Sequence, residues 1–171
     1  RAELGWMPQD ARLPRRVRVV DIVRYAAWLR RVSGDVEVGE ALDAVDLTER
    51  AECRIGQLSG GQQRRAALAC AIVGRPAVLL LDEPTVGLDP EQRDHFLRMI
   101  KQLSRDRTVV VSTHLIEDVL GVADHVVGLS EGEVTRVGSL GALIDQLPRG
   151  AAPAEILAHL RALVLAPQDA A

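Results

Sequence analysis

Residues Ala77–Pro90 read AVLLLDEPTVGLDP and decide the fold. The run Ala77–Leu81 is apolar, too short for a helix and without polar alternation, which is typical of a strand covered on both faces of a sheet. Asp82 and Glu83 follow directly, and Pro84 ends the strand. Carboxylates at the C-terminal end of a buried strand lie where open α/β sheets bind their ligands. The stretch therefore predicts a ligand site, although Asp-Glu-Pro alone would also suit a solvated turn that closes a strand.

A second stretch, LSGGQQRR at Leu58–Arg65, precedes this strand. Ser59 is a favourable N-cap residue, Gly60 and Gly61 expose their backbone N–H groups, and the pattern predicts a helix that runs through Val73 to a Gly-Arg-Pro stop. A helix that begins in this way presents oriented amides and the positive end of its dipole. The stretch therefore predicts an anion site at the start of the helix.

Together the two stretches resemble the ATP-binding cassette (ABC) ATPases. LSGGQ at 58–62 resembles the signature motif of that family, and LLLDEP at 79–84 resembles its Walker B strand. In this order the two motifs are highly specific. The resemblance covers about 4–147 and implies an α/β fold of the P-loop NTPase type, with a sheet of mainly parallel strands, flanking helices and a helical subdomain.

The resemblance also implies catalytic roles for the residues that match family motifs. Asp82 would hold Mg²⁺, directly or through water, and Glu83 would polarise the attacking water as the general base. Gln9 follows Pro8 at the position of the family's Q-loop glutamine and would order the metal and the water. His114, in the sequence Ser-Thr-His, matches the switch histidine and would contact the terminal phosphate of ATP.

Other residues would serve the nucleotide of a second, head-to-tail copy. The signature residues in this group are Ser59, Gly60, Gly61 and Gln62. Asp89 matches the family's D-loop aspartate, which shapes the paired site across the dimer. Asp89 also suits the N-cap of the next helix, with Pro90 in its first turn. Both interpretations of Asp89 can hold together.

The implied function is that of the ATP-binding and hydrolysing subunit of a membrane transporter. The subunit would work as a homo- or heterodimer with a transmembrane permease, in the cytoplasm at the inner face of the cell membrane. The run Ser112–Val119 (STHLIEDV) and the compact region 10–57 are similar to export-type cassettes, which favours export. Two alternatives stay open: a non-transport ATPase that acts in DNA maintenance or on the ribosome, and a non-catalytic, truncated remnant.

The family's phosphate loop, G-x-x-x-x-G-K-[ST], does not occur in these 171 residues. Gly34 and Gly39 have the correct spacing, but Glu40 and Ala41 replace the lysine and the hydroxyl residue, and the stretch lies in a region predicted to be helical. Lys101 lies in the middle of a predicted helix. The resemblance therefore implies ATP and Mg²⁺ as cofactors of a complete parent protein. The chain is expected to be either its later part, without the N-terminal part of the domain, or a natural truncation that no longer hydrolyses ATP.

The sequence predicts the remaining elements and the domain boundaries from periodicity and turn residues. An incomplete ATPase domain is expected over 1–147, with a helical subdomain over 10–57, a linker over 148–153 and an accessory helix over 154–171. In chain order the other predicted elements are a strand at Glu3–Met7, helices at 19–33, Val36–Val45 and 90–104, a buried strand at Thr108–Ser112, strands at His125–Leu129 and Glu133–Val137, and a helix at Leu140–Gln146.

Composition excludes several classes of function. The chain is 47% hydrophobic and 26% charged, and its longest apolar run is far shorter than the roughly 18 residues needed to span a bilayer. A net charge of −3 and an aromatic content of 2% predict no binding of nucleic acid. Cys53 and Cys70 fit no metal or redox spacing. A basic cluster suits either a solvated approach to a helix or a contact with a membrane partner or anionic lipid; its members are Arg12, Arg15, Arg16 and Arg18.

Overall fold

The computed structural model describes residues 3–32 and 34–146, together with Glu155, Leu157, Ala158, Leu160 and Ala162. The chain divides into two compact units, Arg1–Ser112 and Thr113–Ala171. Among the described residues, every helix is too short or too polar to cross a bilayer. The predicted linker over 148–153 lies outside the described residues.

The first unit is built on a parallel sheet in the order β1-β2-β3. Its strands are β1 (Leu4–Met7), β2 (Val78–Asp82) and β3 (Thr108–Ser112). Parallel neighbours need long crossover connections, and helices supply them here. The register pairs Met7 with Leu81 and Asp82 with Ser112, so the C-terminal ends of the three strands lie at one edge. The α/β class and the parallel sheet predicted from the sequence are confirmed.

The two faces of this sheet differ in burial. Met7, Leu79 and Leu81 are buried, and α3 (Gly60–Ile72) packs against β1. On the other face Trp6 is 61% exposed and Val110 is 51% exposed. The prediction that β2 is covered on both faces and that β3 is buried is therefore wrong for the described residues. An apolar run shows that a strand can be covered on both sides, but it does not show that this chain supplies the cover.

Residues 10–57 contain two helices, α1 (Val19–Leu29) and α2 (Asp35–Asp43), and short 3₁₀ turns at Thr48–Arg50 and Ile55–Gln57. The region 10–57, predicted to be a helical subdomain, is not helical from Asp10 to Arg18. Residues 15–19 run antiparallel to 53–56, with the Ile55 N–H donating to the Val17 carbonyl at 2.9 Å and the Gly56 N–H to the Arg15 carbonyl at 2.9 Å. Pairing between segments that are distant in the sequence cannot be recognised from a local periodic pattern. The helix α2 contains Gly39, which confirms that Gly34–Gly39 is no phosphate loop.

The helix α4 (Pro90–Leu103) connects β2 to β3. Its buried face carries Phe96, Leu97, Ile100 and Leu103, as the sequence predicts. Cys70, on α3, is partly buried, and burial raises the pKa of its thiol to about 12. That thiol is therefore neutral near pH 7.

The second unit contains α5 (Ile116–Val122), the antiparallel strands β4 (His125–Ser130) and β5 (Glu133–Ser139), and α6 (Leu140–Ile144). The hairpin turns at Glu131 and Gly132, which both have positive φ. The five described residues of 154–171 are helical, and Leu160, only 1% exposed, packs in a cluster with Val126, Leu140 and Leu143. The predicted hairpin is confirmed, and α6 ends two residues earlier than predicted.

Candidate functional site

The C-terminal edge of the parallel sheet brings together three of the predicted site residues. Asp82 is the last residue of β2, Glu83 follows it, and Gln9 lies in the turn after β1. The side chains of Gln9 and Asp82 are exposed, whereas Glu83 is half-buried. Because parallel strands end at the same edge, residues distant in sequence meet here.

Ser112 holds both carboxylate residues in place. Its hydroxyl donates a 2.5 Å hydrogen bond to Oδ1 of Asp82 and accepts the N–H of Glu83 at 3.1 Å. The carbonyl of Ser112 accepts the same Glu83 N–H, also at 3.1 Å. One residue at the end of β3 therefore fixes the Asp82 carboxylate and the backbone of Glu83.

Glu83 has a strained backbone. Its φ is +44°, a region that residues other than glycine rarely adopt. Such a conformation costs on the order of 1–3 kcal/mol, and strained residues cluster at functional sites. The bonds from Glu83 N–H to Ser112 keep the residue in this conformation.

Arg64 connects the signature helix to this edge. Its guanidinium donates to three backbone carbonyls: Nη1 to Gln9 at 2.5 Å, Nη2 to Glu83 at 2.5 Å and Nε to Pro84 at 2.9 Å. Burial lowers the pKa of Arg64 from its ordinary value, while the nearby carboxylates, Asp82 and Glu83 among them, act in the opposite direction. A cation therefore lies beside the two acidic residues.

The start of α3 is capped as the sequence predicts. The Ser59 hydroxyl accepts the Gln62 N–H at 3.2 Å, and the Gln62 side chain accepts the Ser59 N–H at 3.0 Å, which forms a capping box. Ser59 and Gly60 are exposed, so the helix terminus is open to solvent. Gly61 is buried, and a Cβ at this position would overlap the side chain of Gln92. The helix therefore presents its N–H groups outward while glycine permits close packing on α4.

Asp89 caps α4, and its Oδ1 accepts the Gln92 N–H at 2.9 Å. Pro90 occupies the first turn, where its missing N–H costs no hydrogen bond. Asp89 remains exposed. The capping role is confirmed, and the exposure leaves the carboxylate accessible to a partner.

His114 belongs to the second unit and is exposed there. Its neighbour Thr113 donates from Oγ1 to Oδ2 of the buried Asp118 at 3.1 Å and accepts the Leu115 N–H at 3.1 Å. These bonds fix the backbone on either side of His114. The loop is therefore ordered by Thr113 while the imidazole faces outward.

A family model for ABC transporters matches residues 1–86, half of the chain. The chain belongs to the ABC transporter family. It is part of a nucleotide-binding domain of that family. This assignment also confirms the fold class inferred from the signature and Walker B resemblance.

Curated ABC relatives and a solved ABC structure align with most of the chain. The methionine import ATP-binding protein MetN 2 of Rhodococcus jostii is 38% identical over 160 residues, which are 90% of this chain and 46% of that protein. The Nod factor export ATP-binding protein I of Burkholderia orbicola is 39% identical over 63% of this chain and 36% of its own length. A chain of an ABC transporter assigned to the metal-chelate type, in an inward-facing conformation, superimposes with a TM-score of 0.73 and 29% identity, covering 84% of this chain and 61% of that one.

This ABC chain spans about a third to a half of the length of the curated relatives that it matches. The relatives named here include one import protein and one export protein, so similarity alone does not set the direction of transport. All of them are named as ATP-binding proteins. The names of both relatives describe import or export, and neither name refers to DNA maintenance or to the ribosome.

The donor set at the sheet edge suits Mg²⁺. Among the described residues, no cluster of three or more His, Cys, Asp or Glu side chains could hold a metal ion. Mg²⁺ is commonly held by one or two carboxylates, with water and nucleotide phosphates as its other ligands. The hydrogen bond from Ser112 uses only Oδ1 of Asp82, and the exposed carboxylate keeps a second oxygen available. Asp82, with the exposed amide of Gln9, therefore fits this mode of binding.

Two residues of the site were missed from the sequence. Ser112 is the last residue of a strand that neighbours β2, and the strand order would have placed it beside Asp82. Arg64 lies one turn inside the signature helix, but its partners are backbone carbonyls, which no side-chain motif reveals.

Proposed function

We propose that the chain is the later part of the ATP-binding and hydrolysing subunit of an ABC transporter, which couples ATP hydrolysis in a head-to-tail dimer to membrane transport. The observation that carries the proposal is the edge where Asp82 and a strained Glu83 are both held by Ser112. An exposed, capped signature helix supports it, because an accessible helix N-terminus on the same unit suits a phosphate anion.

At this edge Glu83, Gln9 and Asp82 have separate roles in ATP hydrolysis. Glu83 accepts a proton from the attacking water as general base, and Gln9 orients that water from the turn after β1. Asp82 and Gln9 hold Mg²⁺, which when bound offsets the negative charge of the phosphates. His114 belongs to the second unit, and its match to the family's switch histidine supports a contact with the terminal phosphate.

The second copy completes the site. The amides of the signature helix, at Ser59, Gly60 and Gly61, bind the phosphate held by the other subunit, with Gln62 keeping the cap formed. Asp89 shapes the paired site from the start of α4. Each subunit, identical or different in sequence, thus contributes one half of each nucleotide site.

The partner to which ATP hydrolysis is coupled is a transmembrane permease. Exposed apolar side chains on α1 and α2 support this assignment: Tyr25, Trp28, Leu29 and Val36 are all exposed, and Tyr25 stacks on Trp28 at 5.9 Å between ring centroids. The subunit then lies in the cytoplasm, peripheral to the inner face of the membrane. The similarity of Ser112–Val119 and of 10–57 to export-type cassettes favours export.

Glu83→Gln tests the proposal in a longer chain that contains both a phosphate loop and residues 1–171. The amide cannot accept the proton, so phosphate release should fall by at least about 10²–10⁴-fold while ATP binding is nearly unchanged. Glu49→Gln, at an exposed 3₁₀ turn, is the matched control and should keep full turnover. Phosphate release by Glu83→Gln within a few-fold of the unsubstituted protein would remove Glu83 from the role.

A further inference from the structure

Arg64 occupies a position from which one side chain reaches two separate loops. Its three hydrogen bonds end on the carbonyl of Gln9, in the turn after β1, and on the carbonyls of Glu83 and Pro84, in the turn after β2. A guanidinium suits this task because its donors are fixed in a planar fork and remain charged. A lysine offers a single flexible ammonium and cannot reproduce the fork.

We propose that Arg64 is a positioning residue that ties the loops of Gln9 and Glu83 to the signature helix of the same subunit. The inference rests on the proposed function, since it assigns Arg64 to the ATPase site. Arg64 touches no reacting atom and acts through the backbone of the two catalytic residues.

Because α3 is rigid, these hydrogen bonds couple the start of the helix to the two loops. Ser59 and Gly60 begin α3, and Arg64 lies about one turn further along the same rigid element. A displacement of the helix start would therefore move Arg64 with it. The bonds from Arg64 transmit that displacement to Gln9 and Glu83.

The neighbouring Arg65 serves as an internal comparison. Its Nη1 donates to the carbonyls of Val45 at 3.1 Å and Asp46 at 3.2 Å, beyond the end of α2. The two adjacent arginines therefore make the same kind of contact with different parts of the first unit. Arg65→Gln removes an arginine–carbonyl contact and a charge without touching the loops of Gln9 and Glu83.

Hydrogen–deuterium exchange of residues 1–171 tests the tie without nucleotide. Arg64→Gln should accelerate exchange about tenfold or more at 9–12 and 83–88, because charged hydrogen bonds that close both loops are lost. Arg65→Gln should accelerate exchange at 44–48 and leave those two loops unchanged. Uniform acceleration by Arg64→Gln over the whole of 3–112 would show a general stabilising role, and unchanged loops would show no tie; either result would overturn the proposal.

Turnover in the longer chain with a phosphate loop provides the second measurement. Arg64→Gln should lower kcat about tenfold with the KM for ATP nearly unchanged, and Arg64→Lys should not restore kcat. With Gln9→Ala the effects should be less than additive, because Arg64 then has one catalytic side chain fewer to position. Full additivity, or rescue by lysine, would contradict the proposal. If the unsubstituted protein does not hydrolyse ATP, the proposed function fails, and the exchange experiment still decides the role of Arg64.

Discussion

Ser112 is the residue on which the geometry of both carboxylate positions depends. Its hydroxyl is at once a donor to Asp82 and an acceptor from Glu83. Ser112→Ala should lower the free energy of unfolding by about 0.5–1.5 kcal/mol, because Oδ1 of Asp82 loses its donor and the strained Glu83 loses one of two acceptors. Denaturant unfolding of residues 1–171 measures this loss.

Two variants sharpen the Ser112 experiment. Ser112→Thr keeps the hydroxyl and should keep most of the stability. Ser104→Ala removes a hydroxyl that donates only to the Lys101 carbonyl at the end of α4, and it should cost less. Equal stabilities for Ser112→Ala and Ser104→Ala would show that the Ser112 hydroxyl does not hold the edge together.

At the residue scale, local chemistry was predictable and long-range chemistry was not. Ser59 and Asp89 were predicted as caps because a cap depends only on the next three residues. The position of Asp82 and Glu83 at the C-terminal end of a strand was predicted because they follow an apolar run. Arg64, by contrast, bonds to carbonyls that are 19 to 55 positions away in the sequence, so only the folded chain reveals its partners.

The signature helix is the element on which dimer formation should depend. Ser59→Arg removes the N-cap and places a bulky cation where the helix amides would meet the phosphate of the other subunit. In a longer chain with a phosphate loop and the Glu83→Gln substitution, this change should abolish ATP-driven dimerisation and spare nucleotide binding by the monomer. Size-exclusion chromatography with and without ATP measures the dimer.

Ser139→Arg is the matched control for the signature helix. Ser139 caps α6 in the second unit, where its hydroxyl accepts the Ala142 N–H at 3.2 Å. Its replacement also removes a cap and adds a cation, but at a helix to which the proposal gives no nucleotide. An undiminished dimer peak for Ser59→Arg, or an equal loss for Ser139→Arg, would show that the start of α3 is not specifically at the interface.

At the element scale, the sequence predicted helices and strands well where a single period decides them. The helices α1, α3 and α4 and the β4–β5 hairpin were predicted within a few residues. The non-helical stretch at 10–18 leads into residues 15–19, which pair with 53–56, and pairing between distant segments has no local period. The 3₁₀ turns and α5 are short and were not predicted for the same lack of a sustained pattern.

At the scale of the whole molecule, the sequence does not determine what covers the sheet face that carries Trp6 and Val110. Trp6, Leu80 and Val110 are paired in one row across the three strands, and Trp6 and Val110 are exposed. The apolar pattern of these strands could be read from the sequence, but whether another segment packs over this face could not.

Binding of ATP–Mg²⁺ by residues 1–171 alone should be weak and without turnover. The described residues contribute Asp82 and Glu83, two carboxylates that would face a polyanion, and the nearby Arg64 uses three of its five N–H donors on backbone carbonyls. The terminus of α3 can attract a phosphate, but one helix end contributes only about 0.3–2 kcal/mol.

Titration calorimetry of residues 1–171 with ATP–Mg²⁺ measures this affinity directly. The expected result is no micromolar binding and no phosphate release, because the sequence holds no glycine-rich loop with a lysine to surround the phosphates. The stretch Gly34–Gly39 does not substitute, since Gly39 lies inside α2, where the helix's own hydrogen bonds occupy its backbone N–H. Micromolar binding with turnover would mean that a phosphate site exists among residues to which the present proposal gives none, and Gly39→Ala would then show whether α2 supplies it.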